Sequence, residues 1–206
     1  QKRWPQVDHR WLLEMDEPLV AVHKAMLDQA ATLMEQSELE SATALCEAVL
    51  KENPLSEQAY YGLGLIAYMR DDQALARSSY RAALNRAPNW APPIRSLAQL
   101  DLIENDLAAA KAALVNLLDN EPDDLDARRL LAQVLLKQEH FDEGISLLTS
   151  IIESDPRDWQ AHLMMAGIYD ELDRAEDVVK HCGVVLEVQP EHDEASRLLI
   201  KYSKKD

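Results

Sequence analysis

The side chains that could perform chemistry on their own are sparse along this sequence of 206 residues. Of six histidines, only His181 adjoins a cysteine, Cys182, and no second pair of ligands stands at a spacing that suits zinc. The sequence contains neither a glycine-rich phosphate loop nor a Gly-x-Ser-x-Gly nucleophile motif. We therefore expect no catalytic residues, no metal and no cofactor within this chain.

Acidic side chains are abundant, and their arrangement predicts a solvated surface. Asp and Glu number 37 against 21 Lys and Arg, which gives a formal net charge of −16. Most acidic residues stand at predicted turns and helix starts, as in 123–126, where the helix dipole favours a negative charge. The resulting field repels nucleic acid phosphates and anionic lipids, so we expect neither as a partner. No apolar run reaches the roughly 18 residues that a membrane helix requires.

Two arginines interrupt this acidity at a regular spacing. Arg95 and Arg129 each stand four residues before a glutamine, Gln99 and Gln133. Guanidinium groups bind carboxylates through paired, charge-assisted hydrogen bonds. One interpretation is that these arginines bind a carboxylate of a partner, for example a chain terminus. The other is that they pair with local carboxylates of the same chain.

The element that must position these side chains is a repeat of constant length. Five prolines follow one another at intervals of 34 residues: Pro54, Pro88, Pro122, Pro156 and Pro190. Such a period is typical of stacked supersecondary units that cannot bury their apolar faces alone. With each proline at position 32, the repeats are 23–56, 57–90, 91–124, 125–158 and 159–192. We expect a single domain over 1–206, with an N-terminal extension at 1–22 and a capping helix at 193–206.

Each repeat is predicted to be two helices joined by a turn. In the second repeat, Tyr60, Leu63, Gly64 and Ala67 form one apolar helix stripe. Proline ends the second helix because it cannot continue one. The turns are marked by Asp71-Asp72, Asn105-Asp106, Glu139-His140 and Asp173-Arg174. Small residues recur at position 8, where helices can approach closely: Ala30, Gly64, Ala98, Ala132 and Ala166. Position 20 is similar, with Ala42, Ala76, Ala110, Gly144 and Val178. The sequence therefore predicts an all-α fold without strands.

These residues resemble the tetratricopeptide repeat family. The stretch Tyr60-x2-Leu63-Gly64-x2-Ala67, followed by Ala76, Tyr80, Ala83 and Pro88, is similar to its motif, and the resemblance covers 23–192. Departures from the motif are Gln29, Asp101, Arg128 and His162, which loosen the expected core. The resemblance implies a right-handed superhelix of antiparallel helix pairs, an α-solenoid.

The resemblance also implies a concave groove, lined by the first helices of successive repeats, that receives an extended or helical peptide. The groove residues expected on this basis are Leu27, Ala31, Met34, Tyr61, Leu65, Tyr68, Met69, Arg95, Gln99, Leu102, Arg129, Gln133 and Lys137. Ile103, Leu136, Leu163, Gly167, Asp170 and Glu171 fall on the same helix face. The alternative is that Tyr61, Leu65, Tyr68 and Met69 pack against neighbouring helices or against residues 1–15. The co-chaperone clamp of this family is disfavoured, because it requires Lys and Asn where this chain has Leu27 and Ala31.

The two ends of the chain carry separate predictions. Residues 1–15 combine Trp4, Trp11 and the pair Leu12-Leu13 with Lys2, Arg3, His9 and Arg10. This segment could dock into the groove of its own chain or of a second copy, or it could cap the first repeat. At the other end, Ala195, Leu198 and Leu199 recur at helical spacing, as expected of a capping helix.

Cys46 and Cys182 stand four repeats apart, so we expect two buried thiols and no bridge.

We therefore expect a non-catalytic scaffold or assembly factor that binds a peptide segment of a partner protein. Two alternatives stay open: the recruitment or regulatory module of a larger enzyme, and a bacterial assembly factor tethered to the cell envelope. A cytoplasmic location is favoured, whereas a periplasmic or membrane-tethered one would require a segment before Gln1.

Overall fold

The computed structural model describes residues 17–203, so the hypotheses on residues 1–15 and the last three residues of the predicted cap lie outside it. The described residues contain helices and no strand. The helices are α1 (Glu17–Glu35), α2 (Leu39–Glu52), α3 (Glu57–Met69), α4 (Gln73–Leu84), α5 (Ala91–Ile103), α6 (Leu107–Asn120), α7 (Leu125–Lys137), α8 (Phe141–Ser154), α9 (Trp159–Glu171), α10 (Ala175–Val188) and α11 (Asp193–Ser203). The predicted all-α helical repeat is confirmed.

By its internal contacts the chain divides into two compact units, Gln1–Pro93 and Ile94–Asp206. In the first unit, α1 packs against α2 and α3 against α4, and the first helices α1 and α3 also contact each other. In the second unit, α7 packs against α8 and α9 against α10, and α7 contacts α9. Within each unit, first helices of successive repeats are therefore neighbours. The single domain over 1–206 stays a prediction.

A left-handed residue ends the first helix of every repeat. The residues with φ between 51° and 63° are Ser37, Asp71, Asn105, Glu139 and Asp173, again 34 apart. The N–H of the following residue bonds the carbonyl five positions back, as in Asp72 N to Ala67 O at 2.9 Å. This pattern is the Schellman motif, which satisfies the last carbonyls of a helix. The predicted turn pairs are confirmed, and they have a common geometry.

The second helix of a repeat ends just before the proline, as predicted. For example, α2 ends at Glu52 and α8 ends at Ser154, two residues before Pro54 and Pro156. The residue at position 34 then begins the next first helix. Ser56, Asp124 and Asp158 each accept a hydrogen bond from a backbone N–H three residues later, at 2.9 to 3.2 Å. Such caps satisfy N–H groups that the helix itself leaves free.

The predicted small positions are buried in all five repeats. In the second repeat, however, the small residue at position 8 lies against a large side chain and not against another small one. A Cβ built on Gly64 would overlap the aromatic ring of Tyr80, which is 1% exposed. Gly64 therefore leaves the space that a large buried ring fills. Asp101 and His162, which depart from the motif, are buried as well.

Both cysteines are buried free thiols. Burial is the main reason why the pKa of each thiol rises to about 11, with a smaller contribution from Glu47 beside Cys46. Protonated thiols are poor nucleophiles, so both side chains act as small apolar groups in the core.

Between residues 17 and 203, no helix combines the length and the apolar character needed to cross a membrane.

Candidate peptide-binding surface

The first compact unit presents the predicted groove residues on two neighbouring helices. Leu27, Ala31 and Met34 lie on α1, and the α3 residues Tyr61, Leu65 and Tyr68 recur at i, i+4 and i+7 on one face. Leu27 and Met34 are partly buried against the core cluster of this unit. Ala31 is exposed, and Met69 next to Tyr68 is 48% exposed. Of this set, Leu27 and Tyr61 are brought together at one cavity, and a common groove for the others stays a prediction.

The α3 stripe changes from packed to open along its length. At its start, the ring centroid of Tyr61 lies 5.1 Å from that of Trp90 and 5.7 Å from that of Tyr80. At its end, Tyr68 is 42% exposed. Tyr61 thus packs within the chain, as the alternative interpretation predicted, whereas Tyr68 and Met69 remain accessible.

Trp90 is a member of this surface that the sequence prediction missed. It occupies position 34 of the second repeat, immediately before α5 begins at Ala91. The corresponding residues Ser56, Asp124 and Asp158 are polar helix caps. Trp90 therefore departs from the polar capping residues at the same position of three other repeats. This departure is visible in the sequence and could have identified Trp90 as part of the surface.

A cavity of about 480 Å³ lies beside Tyr61 and Trp90. Its apolar lining includes Val20 and Leu27 of α1, and its polar lining includes His23 and Ser56. This volume is within the range of cavities that bind small ligands or single side chains. All of the lining residues belong to the first compact unit.

His23 is the most unusual polar group of this cavity. It is 5% exposed, and its Nε2 lies 2.9 Å from a carboxylate oxygen of Glu52. The carboxylate only accepts, so Nε2 carries a proton and donates this bond. Among the described residues, no group bonds the buried Nδ1 of the same ring. A buried polar atom without a partner destabilises a fold by about 1 to 3 kcal/mol.

In the second compact unit, both predicted arginines pair with an aspartate at the end of their own repeat, and Nη1 of Arg95 also lies 3.7 Å from Asp126 of the next repeat. Arg95 donates from Nη1 to both carboxylate oxygens of Asp124, at 2.7 and 2.6 Å. Arg129 donates from Nε and Nη2 to Asp158, at 3.1 and 2.6 Å, and from Nη1 to Asp126 at 2.7 Å. Both arginines therefore pair with local carboxylates in this structure, as the second interpretation predicted. Binding of a partner carboxylate stays a prediction.

Asp158 links this pairing to helix capping. Its carboxylate accepts from the backbone N–H of Ala161 at 2.9 Å while it accepts from Arg129. Burial by itself would raise the pKa of Asp158, but the hydrogen bonds from Arg129 and the backbone outweigh burial and hold that pKa below its usual value. The carboxylate is therefore ionised at neutral pH, and its charge is held in place by two elements at once.

The other predicted residues of the second unit divide into packed and open ones. Leu102 is buried, whereas its neighbour Ile103 is 47% exposed. Asp170 accepts from Lys201 and Tyr202 of α11, each at 2.6 Å, so the capping helix occupies it. A shallow depression of about 530 Å³ brings together Leu136, Lys137, Gly167 and Glu171 with Glu139 and Phe141. Gln99, Gln133 and Leu163 are each partly buried.

A pair of buried histidines lies between α9 and α10, and sequence reasoning did not foresee it. Nδ1 of His162 lies 2.8 Å from Nδ1 of His181, and Nε2 of His162 lies 3.2 Å from the Pro156 carbonyl. Since a carbonyl only accepts, His162 carries its proton on Nε2 and accepts at Nδ1 from His181. Over residues 17–203, no three His, Cys, Asp or Glu side chains are grouped so that they could hold a metal ion. The pair is part of the core packing, with Tyr169 stacked on His181 at 5.6 Å.

Comparison with known proteins agrees with this architecture. Two models described as tetratricopeptide repeat match the sequence, one at residues 101–157 and 135–202 and the other at 27–90. No curated protein matches the chain.

Several solved structures share the fold. YrrB, described as a TPR protein with an unusual peptide-binding site, is 21% identical with a TM-score of 0.64, and the match covers 84% of this chain and 89% of YrrB. PilW, a widely conserved type IV pilus biogenesis factor, is 18% identical with a TM-score of 0.78 over 89% of this chain and 91% of PilW. For pilF of Pseudomonas aeruginosa the identity is 14% and the TM-score 0.82, over 91% and 86%. At such identities the likeness concerns the fold.

Proposed function

Because this chain belongs to the tetratricopeptide repeat family, we propose that it is a non-catalytic scaffold that binds a peptide segment of a partner protein. The observation that carries the proposal is the stripe of Tyr61, Leu65 and Tyr68 on α3, which the packing of its own unit covers only in part. YrrB, with a similar fold, is described as having a peptide-binding site. The likeness to PilW concerns the fold, so the chemistry of the partner is argued from the residues of this chain.

The partner segment that fits this surface is apolar and aromatic. Tyr68 and Met69 offer a ring and a flexible thioether, which adapt to aliphatic and aromatic side chains. Beyond them, the cavity between Leu27 and Tyr61 is large enough for one further side chain. Burial of two or three such side chains contributes about 1.5 to 3 kcal/mol each before ordering costs. We therefore expect a dissociation constant on the order of micromolar.

Arg95 is the better of the two candidates for a partner carboxylate. Its bonds to Asp124 use Nη1 alone, so the donors on Nε and Nη2 are not used in that pair. Arg129 uses all three of its nitrogens on Asp126 and Asp158. Arg95 belongs to α5, and this part of the proposal is independent of the apolar surface on α1 and α3.

A peptide library displayed on phage and selected on the full chain provides the test. Selected peptides should carry aromatic or aliphatic side chains, and calorimetry should show at least tenfold weaker binding to Tyr68→Ser. Leu75→Ser is the matched control, because Leu75 is 51% exposed on the second helix α4 of the same repeat. A library without enriched sequences, or peptides that respond to Leu75→Ser and not to Tyr68→Ser, would refute the proposal.

The carboxylate is tested separately with the same peptides. Each peptide is compared with a free and with an amidated C-terminus, for the wild type and for Arg95→Ala. A preference for the free carboxylate that disappears in Arg95→Ala supports the assignment. If the preference persists in that variant, Arg95 does not bind the terminus.

A further inference from the structure

The depression of about 530 Å³ in the second compact unit combines an apolar wall with a charged rim. Leu136 and Phe141 pack against the core of this unit and are partly buried, so they form the apolar wall. The charged side chains that line the depression are all exposed: Lys137, Glu139 and Glu171. The remaining lining residue is Gly167 of α9.

Gly167 leaves a gap in the middle of one face of α9. Leu163, Gly167 and Glu171 recur at i, i+4 and i+8, so they lie along that face. A Cβ built on Gly167 would meet no atom within 4 Å, so packing within the chain does not require glycine here. Glycine inside a helix is less favourable than alanine. Its effect at this position is to open the backbone of α9 to close contact with a side chain of another molecule.

Two carboxylates lie at the rim, each near the C-terminal end of a helix. Glu171 is the last residue of α9, and Glu139 stands two residues after the end of α7. Among the described residues, neither side chain has a hydrogen bond or an ion pair. A helix C-terminus carries a partial negative charge, so both places favour a cation over a carboxylate. Lys137 supplies a positive charge in the last turn of α7, whereas the last turn of α9 has no basic residue. A cation from a partner is therefore favoured most next to Glu171.

The charge of the surrounding unit favours the same kind of partner. Acidic side chains outnumber basic ones by more than two to one between residues 94 and 203, but by less than two to one between residues 17 and 93. A unit with such an excess attracts cationic segments at long range.

We propose that this depression binds an extended segment of a partner protein that carries an aromatic or large aliphatic side chain and, two residues away, a lysine or arginine. The apolar side chain lies on the backbone at Gly167, against Leu136 and Phe141, and the cation pairs with Glu171. The inference deepens the proposed function and rests on it, because it names the chemistry of a second contact with a partner peptide.

The spacing of the two contacts fits an extended peptide. Gly167 and Glu171 are about 6 Å apart along α9, since each residue adds about 1.5 Å to a helix. Side chains two residues apart in an extended chain point to the same side and are separated by about 6 to 7 Å. One peptide can therefore reach both residues without bending.

Proton–nitrogen NMR titration of the full, isotope-labelled chain tests the proposal. The probe is the peptide Ser-Ser-Phe-Ser-Lys-Ser-Ser, acetylated and amidated so that it has no terminal charge, and its counterpart carries glutamate in place of lysine. The chain has five glycines, and loss of a signal in Gly167→Ala assigns that residue. We expect the lysine peptide to shift the Gly167 signal saturably and to bind about fivefold more tightly than the glutamate peptide. A Gly167 signal that does not move at millimolar peptide, or equal affinities of the two peptides, would overturn the proposal.

Two alanine variants show whether the gap at Gly167 is responsible. An added Cβ meets no atom within 4 Å at Gly167 on α9 or at Gly183 on α10, so both variants should be at least as stable as the wild type. Gly167→Ala should weaken the lysine peptide about fivefold, because the methyl group holds the apolar side chain away from α9. Gly183→Ala should bind it like the wild type. The amide signal of Glu171 measures the affinity in both variants, and equal affinities would refute the contact at Gly167.

Two glutamine variants test the cation in the same way. Glu171 and Glu187 are exposed, and each lies at or next to the C-terminal end of its helix, α9 or α10. Glu171→Gln should weaken the lysine peptide about threefold and remove its advantage over the glutamate peptide. Glu187→Gln removes the same charge from the unit and should preserve that advantage. An advantage that survives in Glu171→Gln would show that the cation is bound elsewhere.

The amide signals of Gly62 and Gly64 on α3 separate this inference from the proposed surface of the first unit. If the peptides move these two signals and not that of Gly167, and Tyr68→Ser abolishes the binding, the surface on α3 stands and the depression is refuted. If they move the Gly167 signal in the wild type and in Tyr68→Ser alike, while the phage library yields no peptide that depends on Tyr68, the depression stands and the surface on α3 is refuted. If no glycine signal moves and the library yields no sequence, both are refuted.

Discussion

Nη2 of Arg129 lies 2.6 Å from Oδ2 of Asp158, and the same carboxylate caps α9. Arg95 and Asp124 form the same pair one repeat earlier, and there the aspartate caps α7. In each case the first residue stands at position 5 of a repeat and the second at position 34. The last residue of the repeat thus contacts the first helix of its own repeat and begins the first helix of the next.

Loss of Arg129 should destabilise the fold, because the Asp158 side chain is only 4% exposed and would keep its charge without its main partner. We expect Arg129→Gln to lower the free energy of unfolding by about 2 to 4 kcal/mol at pH 7. Arg128→Gln is the adjacent control, since Arg128 lies 3.5 Å from an Asp123 carboxylate that is fully exposed, and its loss should change little. Urea unfolding monitored by circular dichroism measures both variants.

The deficit of Arg129→Gln should also depend on pH. The pKa of Asp158 is lowered in the folded wild type, so its contribution to stability is complete above the usual aspartate value and is lost as the pH falls through the lowered one. The difference between wild type and variant should therefore shrink below about pH 4. A difference that is constant from pH 7 to pH 3 would contradict this account.

Gly64 and Gly167 should respond to alanine in opposite directions. A methyl group on Gly64 would overlap the ring of Tyr80, so Gly64→Ala should lower the free energy of unfolding by about 1 to 3 kcal/mol. A methyl group on Gly167 meets no atom within 4 Å, so Gly167→Ala should raise that free energy by about 0.5 to 1 kcal/mol through helix propensity. Urea midpoints of both variants measure this, and a shift in the same direction would show that the overlap at Gly64 is relieved at no cost.

The buried histidine pair should make the fold sensitive to mild acid. Burial, followed by the nearby His162 and Lys180, lowers the pKa of His181 from 6.5 to about 4, against the opposing charge of Asp177. Between these two values the unfolded chain takes up a proton that the folded chain does not. The free energy of unfolding should therefore fall as the pH decreases from 6.5 to 4, by about 3 kcal/mol at most.

His181→Phe tests this assignment, because its ring can still stack on Tyr169 but cannot take up a proton. Urea unfolding at pH 6.5, 5.5 and 4.5 should show a smaller loss of stability in this variant than in the wild type. Ring proton signals of His181 that titrate near pH 6.5 in the folded wild type would contradict the prediction.

Glu139 should be a favourable site for stabilisation. It has φ of 59°, in the left-handed region, where side chains with a Cβ are disfavoured by about 1 to 2 kcal/mol. Glycine removes that strain but adds freedom to the unfolded chain, so Glu139→Gly should gain about 1 kcal/mol or less. Glu139→Ala keeps the Cβ and should bring no gain. Thermal unfolding of the two variants compares them, and equal midpoints would show that no strain is stored at this residue.

The repeating features of the fold could be predicted from the sequence. Prolines and small residues recur at fixed positions because every repeat requires the same helix end and the same close contact, so one pattern predicts all of them. The polar pairs at the turns could also be predicted, because they recur with the same period. Asp and Asn in addition tolerate the left-handed conformation better than most residues.

The contacts that differ between repeats could not be predicted. Position 5 holds Tyr61, Arg95 or Arg129, and its partner 29 residues later is Trp90, Asp124 or Asp158. Because the chain has many carboxylates, the sequence does not identify which one pairs with each arginine. His162 and His181 are 19 residues apart, which corresponds to no motif. Such pairs depend on how two helices are rotated against each other, and periodicity carries no information about that rotation.

The contact between positions 5 and 34 has a consequence for how such a chain can change its length. In the repeats 91–124 and 125–158, one aspartate both meets the arginine behind it and starts the helix ahead. Adding or removing a single residue inside one of the helices between the two positions would rotate the rest of that helix by about 100° and disturb the contact of the aspartate with its arginine. Gain or loss of whole multiples of 34 residues keeps every such contact intact, so this architecture can grow by duplication of repeats, whereas single insertions within its helices disturb the contact.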